Sequence, residues 1–222
     1  NVRRDARLTG LSEGFVALAT MPAGRLVATI VATYLTMNLM FGSCYMLIGV
    51  EAIGNADVSS LGTLWLNAIG MSVVEKLGDE EQKQRLLPAG IKFDRIMSFG
   101  LTEPLNGSDA SGLKTTATKV EGGWKLNGEK RWIGNATIGD CIVWARNASD
   151  GNKIQAFYVE KGSQGFNTKK IERKYSLRSV WNADIKLDNC FVPDKNKLTY
   201  AKDFATGTNA ILESSRLLVG WM

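Results

Sequence analysis

The 222-residue chain carries 27 lysines and arginines against 22 aspartates and glutamates, a net charge of +5, with 45% apolar and 22% charged residues. These are globular averages, so wholesale disorder is excluded, and at roughly 150 residues per domain the length predicts one to two domains. With no histidine there is no Ser-His-Asp or Cys-His relay within this sequence, no imidazole metal site and no imidazole pH switch, while Cys44, Cys141 and Cys190 are too few and too scattered for a disulfide framework or a CxxC site.

Residues 1–25 read as irregular. They begin without Met, and Arg3, Arg4, Arg7 and Arg25 precede no strong apolar core, so a secretory signal does not fit; the remnant of an Arg-rich transit segment is one reading. Residues 26–50 are 25 consecutive uncharged residues between Arg25 and Glu51. As one helix they would measure about 37 Å, enough for a hydrocarbon core of about 30 Å. Thr29, Thr33, Thr36, Asn38, Gly42 and Ser43 dilute that stretch, and a buried helix, or two helices broken near Phe41–Gly42, uses the same residues. A membrane-associated or partner-binding segment and a buried one both stay open.

From Ser59 the spacing is helical, with Leu61, Leu64, Trp65, Ala68, Ile69, Val73 and Leu77 on one expected apolar face. Gly78 is expected to close that helix. Asp79 and Gln82 then form an expected capping box for a second helix, which Pro88 is expected to end. Beyond residue 95 the period changes to two. Thr115–Val120, Trp124–Leu126 and Glu129–Ile133 read as strands joined by turns at Glu121-Gly122-Gly123 and Asn127-Gly128, since Asn-Gly is the strongest short hairpin signal. Further strands are expected at Cys141–Ala145, Ile154–Val159, Phe166–Ile171, Ala183–Leu187 and Cys190–Val192. Helical spacing returns after Asp203 with Ile211, Leu212, Ser215, Leu218 and Val219, and the stripe runs to Met222 without a cap, so more protein is expected beyond it. The resulting fold class is α+β: an irregular segment over 1–25, a helical domain over 26–94, a central antiparallel β-barrel or sandwich over 95–202, and over 203–222 the first helix of a C-terminal helical bundle.

The basic clusters, the second at Lys169, Lys170, Arg173 and Lys174, suit solvated faces or an anion. Basic residues do not interleave with aromatics, so nucleic acid is not an expected partner. The informative stretch is Gly100-Leu101-Thr102-Glu103-Pro104-Leu105-Asn106-Gly107-Ser108-Asp109-Ala110-Ser111-Gly112. It is a glycine- and hydroxyl-rich loop in which Gly107 permits close approach and the Thr102 and Ser108 hydroxyls offer donors to an anion.

The whole string resembles the Thr-Glu-(three residues)-Gly-Ser-Asp signature of the acyl-CoA dehydrogenase and acyl-CoA oxidase flavoproteins. The resemblance continues in Asn127-Gly128-Glu129-Lys130-Arg131-Trp132-Ile133, in Phe191-Val192-Pro193 and, upstream, in Gly78 to Pro88. The wording looks nearest to the short-chain acyl-CoA oxidases of plant peroxisomes, with glutaryl-CoA dehydrogenases next. The resemblance implies FAD as cofactor and an acyl-CoA thioester as substrate, oxidised at its α–β bond to a 2-enoyl-CoA by a homodimer or homotetramer in a peroxisome or mitochondrion.

It places Phe99, Leu101 and Thr102 along the flavin ring, Gly107 and Ser108 at the FAD pyrophosphate with Ser108 also near CoA, Trp132 on the isoalloxazine with Ile133 and Gly134 beside it, and Arg178 in the substrate wall. The bland alternatives are a core indole for Trp132 and a helix cap for Ser108. Gly134 stands where most family dehydrogenases carry Thr, which resembles an oxidase and is expected to open space for dioxygen. Ser176 replaces the usual glycine of a "KxGxR" turn and is expected to strain it by roughly 1 kcal/mol. No glutamate in this sequence matches the family's catalytic base, so no catalytic residue and no metal ligand is assigned. The opposing reading is an inactive scaffold subunit of a larger, membrane-bound assembly.

Overall fold

The structure, a computed structural model, describes residues 58–209 and 211–212. The readings for 1–25 and 26–50, and most of the helix expected over 203–222, lie outside the described residues. Among those described, no helix is long and apolar enough to cross a membrane.

Two helices come first, α1 (Val58–Leu77) and α2 (Glu80–Ile91). The buried stripe of α1 is not the one that spacing suggests. Asn67, Gly70, Val73, Val74 and Leu77 face inward, while Trp65 and Ala68 are exposed. A Cβ on Gly70 would lie 2.5 Å from the Met97 Cβ, so glycine brings the helix onto the first strand. Asn67, polar in mid-stripe, joins three elements: its Oδ1 accepts from Met97 N at 2.8 Å and its Nδ2 donates to Gly90 O at 3.2 Å. Gly78 follows α1, needed for space rather than for a left-handed turn, since a Cβ there would stand 2.6 Å from Val74 O.

The capping box forms as expected. Gln82 N donates to Asp79 Oδ1 at 2.9 Å, and Asp79 N donates to Gln82 Oε1 at 3.1 Å. Gln82 does more than cap, because its Nε2 donates to Lys195 O at 3.0 Å and Lys197 O at 2.7 Å, tying α2 to the far end of the sheet domain. Pro88 does not end α2; the helix runs on to Ile91 with proline in its last turn, and Pro88 O accepts from Lys92 N.

The strands are β1 (Met97–Gly100), β2 (Thr116–Val120), β3 (Gly123–Gly134), β4 (Asp140–Asn147), β5 (Lys153–Val159), β6 (Phe166–Lys170) and β7 (Asn182–Pro193). They form one curled sheet in the order β1-β4-β2-β3-β7-β6, with β5 on the other edge of β4. The sheet is mixed rather than antiparallel throughout: β1 and β2 both pair with β4 in parallel. The α+β class holds, and β1 and β2 pair with successive stretches of β4, Asp140–Val143 and Arg146–Asn147.

Both faces of β4 and β5 are covered, so their runs are apolar without alternation. Ile142, Trp144, Ile154, Ala156 and Tyr158 pack toward the helices, while Cys141, Val143, Ala145, Phe157 and Val159 fill the interior of the curl with Leu126, Ile133, Ile185 and Val192.

Asn127-Gly128 is not a hairpin turn. It lies inside β3, opposite an extra residue of β7 at Asp188–Asn189, and Asn127 Oδ1 accepts from Asn189 N at 2.8 Å. Gly128 is required there because a Cβ would come 2.5 Å from Thr115 Oγ1. The expected pairs of strands on either side of residues 127–128 and 188–189 are therefore single strands interrupted by irregularities. Past β7, Phe204–Asn209 is wound as a π-helical turn.

Gln82→Ala is expected to lower unfolding stability by about 2–4 kcal/mol, the sum of a lost cap and two carbonyls left without their donor. Urea denaturation measures this, and a loss below about 0.5 kcal/mol would show that the tie to Lys195 and Lys197 carries no load.

Candidate functional site

The site residues lie where the chain leaves β1 and where β3 bulges. Between Lys130, opposite Ile185, and Ile133, opposite Ala183, β3 contains one more residue than β7. The surplus shifts the alternation by one residue, so that after Lys130 the next side chain to face the interior of the curl is Ile133 rather than Trp132. Trp132 is expelled: it is 57% exposed and held at φ +63°. A bulged residue in left-handed conformation is ordinarily glycine, and an indole there costs about 1–2 kcal/mol. Asn182 Nδ2 donates to Trp132 O at 3.1 Å, the Arg131 guanidinium lies 5.6 Å from the indole centroid, and Arg131 Nε pairs with Asp184 at 3.4 Å.

The segment after β1 is stitched to this bulge. Arg131 N donates to Thr102 O at 2.9 Å. The Lys130 side chain is fully buried and its Nζ donates to Leu101 O at 3.2 Å and Glu103 Oε1 at 2.9 Å. Glu103 also accepts from Thr115 N at 2.9 Å, Thr115 Oγ1 at 2.5 Å and Lys114 N at 2.5 Å. Burial pushes the Lys130 ammonium down to about 8 against the opposing pull of Glu103. Burial alone would raise the Glu103 carboxyl; the Lys130 charge and the bonds from Thr115 and Lys114 outweigh it and hold the carboxyl below its ordinary value. Glu103 thus faces inward with its lone pairs taken, and it is in no position to accept a substrate proton.

Around this anchor stand groups with nothing to bind. The Thr102 hydroxyl, half-buried, and the Leu101 and Thr102 amides have no partner among the described residues. The same is true of the Gly107 and Ser108 amides and the Ser108 hydroxyl, on an exposed loop closed by Glu103 N to Asn106 O and Asn106 N to Glu103 O. Asp109 beside them is turned back onto Ser111 Oγ and Gly112 N, which leaves the donors of Gly107 and Ser108 facing solvent. Unpartnered donors followed by an exposed aromatic ring are the chemistry of a site for a planar, anionic ligand.

Residues 98–190 match the family described as acyl-CoA dehydrogenase, middle domain. Over those residues the chain belongs to the acyl-CoA dehydrogenase family, as its middle domain. Benzylmalonyl-CoA dehydrogenase of Aromatoleum aromaticum is 29% identical over 79% of this chain and 47% of its own length, and the mitochondrial isovaleryl-CoA dehydrogenase of Solanum tuberosum is 34% identical over 72% and 40%. Among solved structures, a glutaryl-CoA dehydrogenase from Mycobacterium smegmatis in complex with FADH2 superposes with a TM-score of 0.61 at 36% identity, covering 66% of this chain and 37% of that one. The chain spans less than half the length of these relatives.

Set against the family motif, Thr102 and Trp132 are brought together through Arg131 N, and Leu101 through Lys130. Phe99 lies on β1 and packs edge-on to Trp144 at 6.1 Å, half-buried. Ile133 points into the core, so only its backbone is available to a ligand. Gly107 and Ser108 stand on the exposed loop with no hydrogen bond to Thr102 or Trp132 among the described residues, and Ser108 caps no helix. Arg178 is exposed, donating to Lys174 O at 3.2 Å. Lys174 of the second basic cluster is committed to its own loop, donating to Leu177 O at 2.7 Å and Asn182 Oδ1 at 2.6 Å, whereas Lys170 lies 4.0 Å from the Trp181 centroid. An open groove of about 670 Å³ along β6, lined by Thr168, Lys169, Lys170, Ile171, Glu172 and Asp184, contains none of the motif residues.

Two expectations change. Gly134 does not open space: it is buried, and a Cβ on it would meet Leu66 Cδ1 of α1 at 2.3 Å and Val180 Cγ1 at 3.2 Å. Nor does Ser176 occupy a left-handed turn position; the positive φ values fall on Arg173 and Leu177. Leu66 and Lys130 are the contributors that sequence reasoning passed over. Alternation alone marks Lys130, since it falls between exposed Glu129 and Arg131 on a strand whose other inward positions are apolar.

Gly134→Thr should lower the melting temperature, and adding Leu66→Ala should recover most of the loss; additive losses would show that Leu66 does not fill that space. Glu103→Gln should cost about 3–5 kcal/mol near neutral pH because Lys130 loses its partner. The Glu103 share of stability is complete above the ordinary glutamate value of about 4.3 and is lost as pH falls through the lower folded-state value, so the variant's stability should fall less steeply on acidification. Parallel acid limbs in urea titrations at several pH values would contradict the assignment.

Proposed function

We propose that this chain is the flavin-gripping part of an FAD-dependent enzyme that oxidises acyl-CoA thioesters to 2-enoyl-CoA. The observation that carries the reading is Trp132, an exposed indole held in a costly backbone conformation beside the unpartnered donors of Leu101 and Thr102. Such strain is retained where function needs it. The relatives support the reading, since each is named for a CoA thioester and one contains FADH2.

The residues present fit the group. Trp132 supplies a face for a ring, Thr102 and the Leu101 and Thr102 amides supply donors for its polar edge, and Gly107 and Ser108 supply open amides for a phosphate. When bound, FAD supplies a two-electron acceptor for hydride from the acyl β-carbon. Removal of the α-proton needs a positioned carboxylate. Glu103 is bonded away from any substrate, so we assign the base to a group outside the described residues.

Glycine at 134 gives no support to an oxidase, because Leu66 and Val180 take the space. The choice between oxidase and dehydrogenase turns on reoxidation of the reduced flavin by dioxygen. A homodimer or homotetramer is part of the proposal. The mitochondrial relative supports that compartment, and peroxisomal residence rests on the wording shared with plant oxidases. The scaffold reading loses the strain it drew from Ser176.

FAD titrated into the purified chain should show quenched flavin fluorescence on binding. Trp132→Gly should weaken that binding at least about tenfold yet keep the melting temperature within about 3 °C, since glycine relieves the positive φ while the lost indole was half solvent-facing. Unchanged affinity in Trp132→Gly would remove the indole from the site, and no binding by the wild-type chain would remove the flavin.

A further inference from the structure

Lys130 lies in the interior of the curl and reaches no solvent. One of its two acceptors is the carbonyl of Leu101, at 3.2 Å. In a trans peptide the carbonyl oxygen and the following N–H point in opposite directions. A Leu101 oxygen drawn inward to Lys130 therefore turns the Thr102 N–H outward. That N–H has no acceptor among the described residues. The next peptide is fixed as well, since Thr102 O accepts from Arg131 N, the residue before the exposed Trp132. Glu103, on the other side of the ammonium, is held by Thr115 and Lys114 and so cannot drift from it.

We propose that Lys130 is a positioning residue for the flavin: by gripping the Leu101 carbonyl from behind, it presents the Thr102 amide as an aimed and polarised donor to the ligand's electron-rich edge. Lys130 touches no ligand itself. Glu103 balances the charge, and the ammonium's remaining influence runs through one peptide group. A peptide whose carbonyl is bonded to a cation in a water-poor interior is a stronger donor at its N–H. Such a donor favours the reduced ligand, which carries more electron density, over the oxidised one. The inference rests on the flavin reading above.

The test compares the wild-type chain with Lys130→Met, with the double variant Lys130→Met/Glu103→Gln, and with Asp140→Asn as control. Asp140 is another buried carboxylate, accepting from Arg95 at 3.0 Å and Lys161 N at 2.7 Å and bonded to Tyr158, and none of these bonds is to Leu101 or Thr102. For each, the FAD dissociation constant is read from flavin fluorescence, the midpoint potential from dye equilibration and the stability from thermal melts. The double variant leaves no uncompensated buried charge, so it folds where the single one does not.

The double variant is expected to bind FAD about tenfold more weakly and to favour the reduced form about tenfold less, a fall of about 30 mV for a two-electron couple. Asp140→Asn is expected to lose stability with affinity and potential unchanged. A double variant with the wild-type potential would overturn the proposal and leave the flavin site standing. A fall in potential matched by Asp140→Asn would also overturn it, because general loosening would then account for the effect. Failure of the wild-type chain to bind FAD would overturn the flavin reading and this inference with it.

Discussion

An ammonium in a protein interior costs several kcal/mol unless a carboxylate and further polar groups surround it. Lys130 satisfies that requirement with Glu103 and the Leu101 carbonyl, and much of the local structure follows. Glu103 can meet Lys130 only if the segment after β1 passes directly over β3. Its carboxylate can be saturated only if Lys114 and Thr115 return to the same point, which closes the glycine-rich loop between them. Gly128 has no Cβ because Thr115 then lies against it. One buried charge thus fixes where the loop starts, where it ends and which way its first peptides face.

The register of β3 against β7 supplies the second half of the arrangement. β7 carries an extra residue at Asp188–Asn189, and β3 carries one at Arg131–Trp132. Each insertion alone would turn every later side chain to the wrong face of its strand. Placed as they are, they keep Trp124, Leu126, Lys130 and Ile133 of β3 facing inward along with Ile185, Leu187, Cys190 and Val192 of β7. The surplus on β3 ejects an indole, and the surplus on β7 is bonded to Asn127. The first leaves a ring exposed to solvent at the cost of a left-handed tryptophan; the second preserves the packing of the core.

Much of this was legible in the residues. The capping box, the strands from Cys141 to Lys170 and the family motif come from local patterns that tertiary contacts do not overrule. What was illegible depends on partners distant in sequence. Asn127-Gly128 carries the chemistry of a hairpin turn, but a turn is decided by which strand lies opposite, and here it is β7, sixty residues away. The α1 stripe was misread because Gly70 and Asn67 count as poor core residues until Met97 is known to lie against them. Pro88 could not be placed by propensity, since a proline in a last turn loses less than one in mid-helix. Lys130 stood in the motif without a role, and although alternation turns it inward, only the path of the loop reveals that Glu103 comes to meet it.

The packing at Gly134 also relocates a chemical question. A small residue in a flavin site suggests a passage for dioxygen only if the volume it leaves is empty. Here α1 spends that volume on Leu66, and Asn135, next along the chain, donates to Thr63 O of the same helix at 3.0 Å. The strand and the helix therefore form one wall, in which glycine is the recess and leucine the plug. Any change in access at this point is governed by the rotamers of Leu66 and by how closely α1 is held to the sheet. The Asn67 bonds to Met97 and Gly90 help set that spacing. For a flavin bound as proposed, the approach of dioxygen at this point would depend on the packing of a helix, and a single strand residue would not report it.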